Sequence, residues 1–239
     1  MTLQLSPMMD RAAKASFADL DTIIGTGGLV ALAPHPDDES LGCGALLRAA
    51  ASAGRRVAVV VVSDGRRSHP ASHSVSPDAL ARIRALEIRA ALVTLHPNIF
   101  LIELGYCDGQ VPFSLPNASC AIADLAKGIG ATALVASWDG DPHCDHAATA
   151  ALARRVHALR PELRLWSYPI WGRFAPTQTK APARIVRFDT TLNRAAKAAA
   201  IACHCSQMTD LIDDDPQGFM MTPEMQAHFI DHAEVFLAH

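Results

Sequence analysis

The sequence predicts an α/β protein, a three-layer αβα sandwich on a Rossmann-like, mostly parallel sheet. Three observations predict it. Short apolar runs near 29–34, 56–63, 99–104, 132–137 and 163–169 alternate with alanine-rich amphipathic segments near 39–53, 77–95, 117–130 and 145–160, which is the rhythm of β-α units. Pro77, Pro116 and Pro161 bound those helical segments, as residues that suit a first helical turn or end one. A polar cluster follows each of the first four strands, and in an open parallel sheet such loops meet outside the carboxyl ends, where ligands gather.

Taken in order, residues 1–28 read as a helical N-terminal extension packed on the sheet, its end marked by Gly25, Gly27 and Gly28. Residues 29–168 form the catalytic core. Its first strand leads into His35-Pro36-Asp37-Asp38-Glu39, the second into Ser63-Asp64-Gly65, the third into Gly105-Tyr106-Cys107-Asp108, and the fourth into Asp141-Pro142-His143-Cys144-Asp145-His146. Residues 169–239 read as a loop from Pro169 to Pro182, an edge strand from Arg184 to Phe188, and two helices. No linker divides the 239 residues, which suit one domain.

A net charge of −3 leaves no basic stripe for nucleic acid or an anionic membrane. No run reaches the roughly 18 apolar residues of a membrane span. No basic start followed by an apolar block marks a secretory signal, so the expected location is the cytoplasm. The six cysteines lack a disulfide-scaffold spacing and read as free thiols, and Cys203 and Cys205 are one residue too close for a Cys-x-x-Cys site. Homo-oligomer formation is left open.

His35 to Glu39 place an imidazole and three carboxylates at the exit of a buried strand. Such groups are costly to bury and useless for packing, so this run reads as a site. A helix cap would need one carboxylate. Zinc hydrolases use two or three nitrogen or oxygen ligands and keep one position open. His35 and Asp38 at a strand-to-helix turn, with His146 from the fourth-strand loop, can supply them, which leaves Asp37 as a free base.

The run Ala33-Pro34-His35-Pro36-Asp37-Asp38-Glu39 resembles the Ala-His-Pro-Asp-Asp-Glu signature of the PIG-L (LmbE-like) zinc-dependent deacetylases, with Pro34 where Ala is usual. The resemblance extends to Ser63-Asp64-Gly65, Arg84-x-x-Glu87, Leu104-Gly105-x-x-Asp108 and His143-Cys144-Asp145-His146, and further on to Lys197, His204 and Ser206-Gln207. It implies His35, Asp38 and His146 as ligands of one zinc ion per chain, with Fe2+ as another candidate, and Asp37 as general base. It also implies that His143 holds the oxyanion and that Arg84 and Asp108 contact sugar hydroxyls. The implied reaction removes the N-acetyl group of a small N-acetylglucosaminyl compound, giving acetate and an amine. Whether Asp37 or His143 protonates that amine stays open.

Two departures bear on the substrate: Cys144 replaces the usual proline between the histidines, and Arg66-Arg67 replaces an acidic residue after the Asp-Gly turn. Cys144 also raises an alternative ligand set. Glu39 is expected to orient the ligand loop or meet the helix N-terminus. Elsewhere the plainer readings lead: solvated histidines at 69 and 73 in a loop, 64–78, that also suits a lid; a solvated turn at Asp213-Asp214-Asp215 capping the next helix; and core packing for Trp166, Tyr168 and Trp171. His204 and Gln207 are balanced between packing and a pocket wall. An amidase for a larger acyl group would share every catalytic residue, and a sugar- or metal-binding protein would not need Asp37. A dinucleotide oxidoreductase is a weaker reading still, because Gly25-x-Gly27-Gly28 precedes the first strand whereas the phosphate loop follows it, and no Gly-x-Ser-x-Gly elbow supports a serine hydrolase.

Overall fold

The computed structural model describes residues 3–175 and 184–238. Its elements in chain order are α1 (Pro7–Ala13), α2 (Leu20–Ile24), β1 (Gly28–Ala33), α3 (Asp38–Ser52), β2 (Val57–Ser63), α4 (Pro77–Leu95), β3 (Ile99–Tyr106), α5 (Pro116–Gly128) and β4 (Ala131–Ser137). There follow α6 (Cys144–Leu159), β5 (Arg164–Tyr168), β6 (Ile185–Phe188), α7 (Arg194–Ala202), α8 (Cys205–Met208), α9 (Pro223–Asp231) and β7 (Glu234–Ala238). The sheet order is β3-β2-β1-β4-β5-β7-β6. The first five strands pair in parallel, and β7 runs antiparallel to both β5 and β6.

The α/β sandwich expected from the sequence is the observed architecture. Both sheet faces are covered, as a parallel sheet requires. Leu29, Ala31 and Ala33 of β1 face one core with residues of α3, α4, α7 and α9, while Val30 and Leu32 face the other with residues of α5 and α6. Two parts of the sequence reading change. The N-terminal extension is two helices, because Asp19 accepts a hydrogen bond from the Thr22 amide (2.8 Å) and starts α2 afresh. The C-terminal region contains β7 as well as the expected edge strand β6. Of the predicted loop from Pro169 to Pro182, residues 176–182 lie outside the described residues.

Helix α3 carries two of the signature carboxylates, and its seating is specific. Gly42 lies so close to Tyr168 that a Cβ there would be 2.1 Å from the ring, and the Tyr168 hydroxyl donates to the Leu32 carbonyl of β1 (2.8 Å). Only glycine allows this approach. One residue on, Cys43 leaves helical geometry (φ −144°, ψ 18°). The freed amides of Ala45 and Leu46 are taken up by Glu234 of β7 (2.7 and 2.9 Å), which also pairs with buried Lys197 of α7 (2.7 Å). Removing one partner of a buried ion pair leaves the other charged and unsolvated, at a cost of about 3–5 kcal/mol. Glu234→Ala is therefore expected to lose stability of about that size, read from the urea midpoint.

Candidate active site

Strand order reverses between β1 and β4, so the loops leaving them face each other across the switch point of the sheet. The loop after β1 brings His35, Asp37 and Asp38, and the loop after β4 brings Asp141, His143, Asp145 and His146. Asp37 is the one non-glycine residue with positive φ (134°) among the described residues. Such a conformation costs about 1–3 kcal/mol and persists where its surroundings enforce it. Here Glu39 Oε2 accepts the Asp37 amide (3.0 Å), and Arg84 Nη2 donates to the Pro36 carbonyl (2.6 Å) and lies 3.2 Å from Asp37 Oδ2. Arg84 Nη1 donates to the Gly65 carbonyl (3.0 Å). A Cβ at Gly65 would fall 2.3 Å from that nitrogen, so the Asp-Gly turn is what admits the arginine.

His35, Asp38 and His146 converge. Asp38 Oδ2 is 3.2 Å from His35 Nδ1 and 3.4 Å from His146 Nε2. His146 is fully buried, and its Nδ1 lies 2.9 Å from Asp141 Oδ2. Asp141 is itself fixed by the amides of Ile170 (2.9 Å) and Gly172 (2.7 Å). A proton on Nδ1 shared with Asp141 leaves a lone pair on His146 Nε2, which has no hydrogen-bond partner among the described residues. That lone pair faces a carboxylate oxygen, and two acceptors so placed fit a cation held between them. One ligating atom from each of His35, His143 and His146 also lies within 4.8 Å of the others. The donor set is thus compatible with a metal ion, and Asp141 stands where an outer carboxylate would orient His146 as a ligand.

The far side of the His35 ring meets Asp108 Oδ1 and Asp145 Oδ2, each 3.2 Å from Nε2. Burial acts against a charged His35 ring, yet Asp108, Asp145 and Asp38 together raise its pKa well above the usual value. Burial pushes Asp38 upward too, but His146 and His35 prevail and bring it to about 2. Burial dominates at Asp37, pushing its carboxyl up to about 7 against the pull of Arg84. At His143 burial, then His35 and His146, lower the value to about 4, so this ring is neutral near pH 7. His143 Nδ1 accepts the Asp145 amide (3.1 Å), which leaves the ring proton on Nε2.

A cavity of about 410 Å³ opens over these groups. His35, Asp37, Asp38, Arg84, Asp108 and His143 line one side, while Ile170, Trp171, Phe219 and Met221 form an apolar wall. His146 lies beneath, fully buried. Cys144 is exposed, with its thiol 3.6 Å from Asp145 Oδ1.

Several secondary readings change. Trp166 and Tyr168 pack in the core, but Trp171 faces the cavity, with Phe219 edge-on at 5.2 Å. His69 is buried beneath Gly218 and not solvated. Asp214 and Asp215 do not cap α9, which Thr222 caps. Asp214 instead accepts the amides of His73 (2.7 Å) and Ser74 (2.8 Å), and Asp215 that of Ala71 (2.8 Å). These carboxylates clip the loop after β2 to the segment before α9, because exposed backbone donors in that loop have no strand to pair with. Gln207 joins the cavity wall, whereas His204 sits behind it, 3.2 Å from Glu39 Oε1. Glu39 thus steadies Asp37 from behind and touches no reacting group. Asp141 and Asp145 stood in the strand-exit cluster quoted from the sequence but were given no role there; their signal was position, one just before and one between two histidines.

Comparison with known proteins agrees with this fold. No curated protein sequence matches the chain. The PIG-L family, described as GlcNAc-PI de-N-acetylase, matches residues 30–157. Among solved structures, N,N'-diacetylchitobiose deacetylase from Pyrococcus horikoshii is similar at 22% identity and TM-score 0.66, over 87% of this chain and 82% of that one. A deacetylase of the teicoplanin biosynthetic pathway is similar at 20% identity and TM-score 0.66, over 88% and 97%. GalB, the 4-carboxy-2-hydroxymuconate hydratase from Pseudomonas putida KT2440, shares the fold at 18% identity and TM-score 0.58, over 74% and 78%. At such identities the structures establish the fold, and a fold hosts more than one reaction. The family match covers more than half of the 239 residues and contains the strand exits that build the cavity, and the chain belongs to the PIG-L family.

Proposed function

We propose that this protein is a zinc-dependent N-deacetylase of small N-acetylglucosaminyl compounds, releasing acetate and a free amine. The observation that carries the reading is the placement of Asp37 on the cavity floor beside the His35, Asp38 and His146 cluster, with His143 on the same wall. In it, His35, Asp38 and His146 hold the metal. Bound there, zinc supplies a Lewis acid that polarises the amide carbonyl and makes water easier to ionise.

Asp37 takes a proton from the water that attacks the acetyl carbon, and its strained backbone, held by Glu39 and Arg84, aims the carboxylate. His143 donates its Nε2 proton in a hydrogen bond to the oxygen of the tetrahedral intermediate. As the C–N bond breaks, protonated Asp37 returns the proton to the leaving amine. A neutral His143 ring is a poor acid and a good hydrogen-bond donor, which supports this division of labour. Asp108, at the cavity wall with lone pairs to spare, receives a sugar hydroxyl. Arg84 lines the same wall, but its contacts to Gly65, Pro36 and Asp37 favour holding Asp37 over reading the sugar.

The test is acetate release from N-acetylglucosaminyl compounds by zinc-loaded protein. Release well above the buffer blank is expected. Silence on acetyl substrates, with zinc bound and longer N-acyl substrates cleaved, would replace deacetylation by a broader amidase activity.

A further inference from the structure

We infer that Arg67 forms an anion subsite at the mouth of the cavity, so that the preferred amino sugar carries an acidic substituent, a carboxylate or a phosphate. The inference rests on the deacetylase reading and names the substrate class for it.

Among the described residues, two arginines line the cavity, and they are differently placed. The Arg84 guanidinium is buried and committed to Gly65, Pro36 and Asp37. Arg67 is exposed, and its guanidinium has no hydrogen-bond or ion-pair partner among the described residues. Its neighbour Arg66 shows what an ordinary surface arginine does here, pairing with Asp64 and Asp78 at 2.7 Å each. Arg67 is nonetheless held in place. Its amide donates to Asp108 Oδ2 (3.0 Å), and its side chain lies over Gly109, where a Cβ would meet Nη1 at 3.4 Å.

The Arg67 amide and His35 thus share one carboxylate, Asp108. A sugar hydroxyl received by Asp108 leaves the rest of that sugar beside the Arg67 side chain. The floor does not forbid an anion there. Asp38 lies between two imidazoles, Asp108 meets His35, and Asp37 faces Arg84. Each acid has a cationic or proton-donating neighbour, and among the described residues that line the cavity the one cation left over, Arg67, stands at the rim. A guanidinium in that position binds a planar carboxylate or a phosphate in a forked, bidentate manner. Trp171 and Phe219 across the cavity offer an apolar surface to the uncharged part of the ligand.

The experiment compares the zinc-loaded protein with R67Q and R67K. Its substrates are the methyl glycoside of N-acetylglucosamine, the carboxymethyl glycoside, the anomeric phosphate and the 6-phosphate. The wild type is expected to favour at least one acidic substrate over the methyl glycoside by about tenfold in kcat/KM, expressed mainly in KM. In R67Q that ratio falls towards one, and R67K restores part of it. The carboxylate and phosphate arms identify which acid is preferred. Equal kcat/KM for acidic and neutral substrates in the wild type, or a preference that survives in R67Q, overturns the subsite. If no substrate releases acetate, the deacetylase reading fails by itself. Calorimetric binding of the same acidic glycosides then decides the subsite: weaker binding to R67Q supports it, and equal binding to both proteins overturns it.

Discussion

Asp37→Asn is expected to lower acetate release by about 10²–10⁴-fold while zinc still binds with wild-type affinity. The substitution keeps the shape of the side chain, and asparagine tolerates positive φ better than most residues, so the strained turn at φ 134° survives. What it removes is the proton acceptor. An amide oxygen accepts a hydrogen bond but does not carry a proton away from water at neutral pH. Zinc content by metal analysis and affinity by chelator competition check the first half of the statement, and steady-state acetate release checks the second. Loss of zinc in proportion to the loss of turnover would remove Asp37 from the role of base and place it among the ligands.

His146→Ala is expected to behave the other way, with the defect in zinc affinity and the loss of turnover following from it. Its Nε2 is a buried lone pair facing Asp38 at 3.4 Å, and no other described group takes that position. Loss of an outer partner such as Asp141 typically costs about 10–100-fold in metal affinity, so loss of the ligand itself should exceed about 100-fold. Asp141→Asn supplies the intermediate case: the ring remains, but the hydrogen bond that fixes its proton on Nδ1 is weakened. The ordering is Asp37→Asn near wild type, Asp141→Asn weaker and His146→Ala weakest. Equal affinities for Asp37→Asn and His146→Ala would sink the assignment. Zinc-free thermal unfolding of each variant separates loss of metal from loss of fold.

Much of this arrangement was legible in the sequence, and the parts that were not have physical reasons. The five parallel strands were plain because strands covered on both faces read as nearly continuous apolar runs, as Val57 to Val62 does. The polar cluster at the cavity was plain because His35 to Glu39 put four charged or metal-binding groups where packing has no use for them. Strand β7 escaped because five residues at the end of a helical stretch carry no periodicity of their own; their pairing with β5 and β6 is a long-range fact. The role of Asp214 and the partner of Glu39, which was expected to orient the ligand loop, escaped for a similar reason. Each rests on contacts distant in the chain, with residues 72–74 in one case and His204 in the other. Arg84 was read as a sugar contact from resemblance, and only the packing shows its guanidinium turned towards Pro36 and Gly65.

The clip made by Asp214 and Asp215 gives the two halves of the cavity different supports. The reacting groups stand on strand exits and helix starts, where any shift disturbs the whole sheet. The opposite wall, with Phe219 and Met221, belongs to the segment before α9, tied to the loop after β2 by these carboxylate-to-amide bonds and by the Phe219 amide on the Ser68 carbonyl (2.7 Å), and to α8 by the Met221 amide on the Gln207 carbonyl (2.8 Å). In the proposed reaction, substitutions at Gln217 and Phe219 are expected to alter what the cavity accepts and to leave Asp37 and His143 in place, whereas Met221 is part of the main core. In the proposed enzyme, selectivity and proton transfer thus rest on separate stretches of chain, and the first can change while the second is kept.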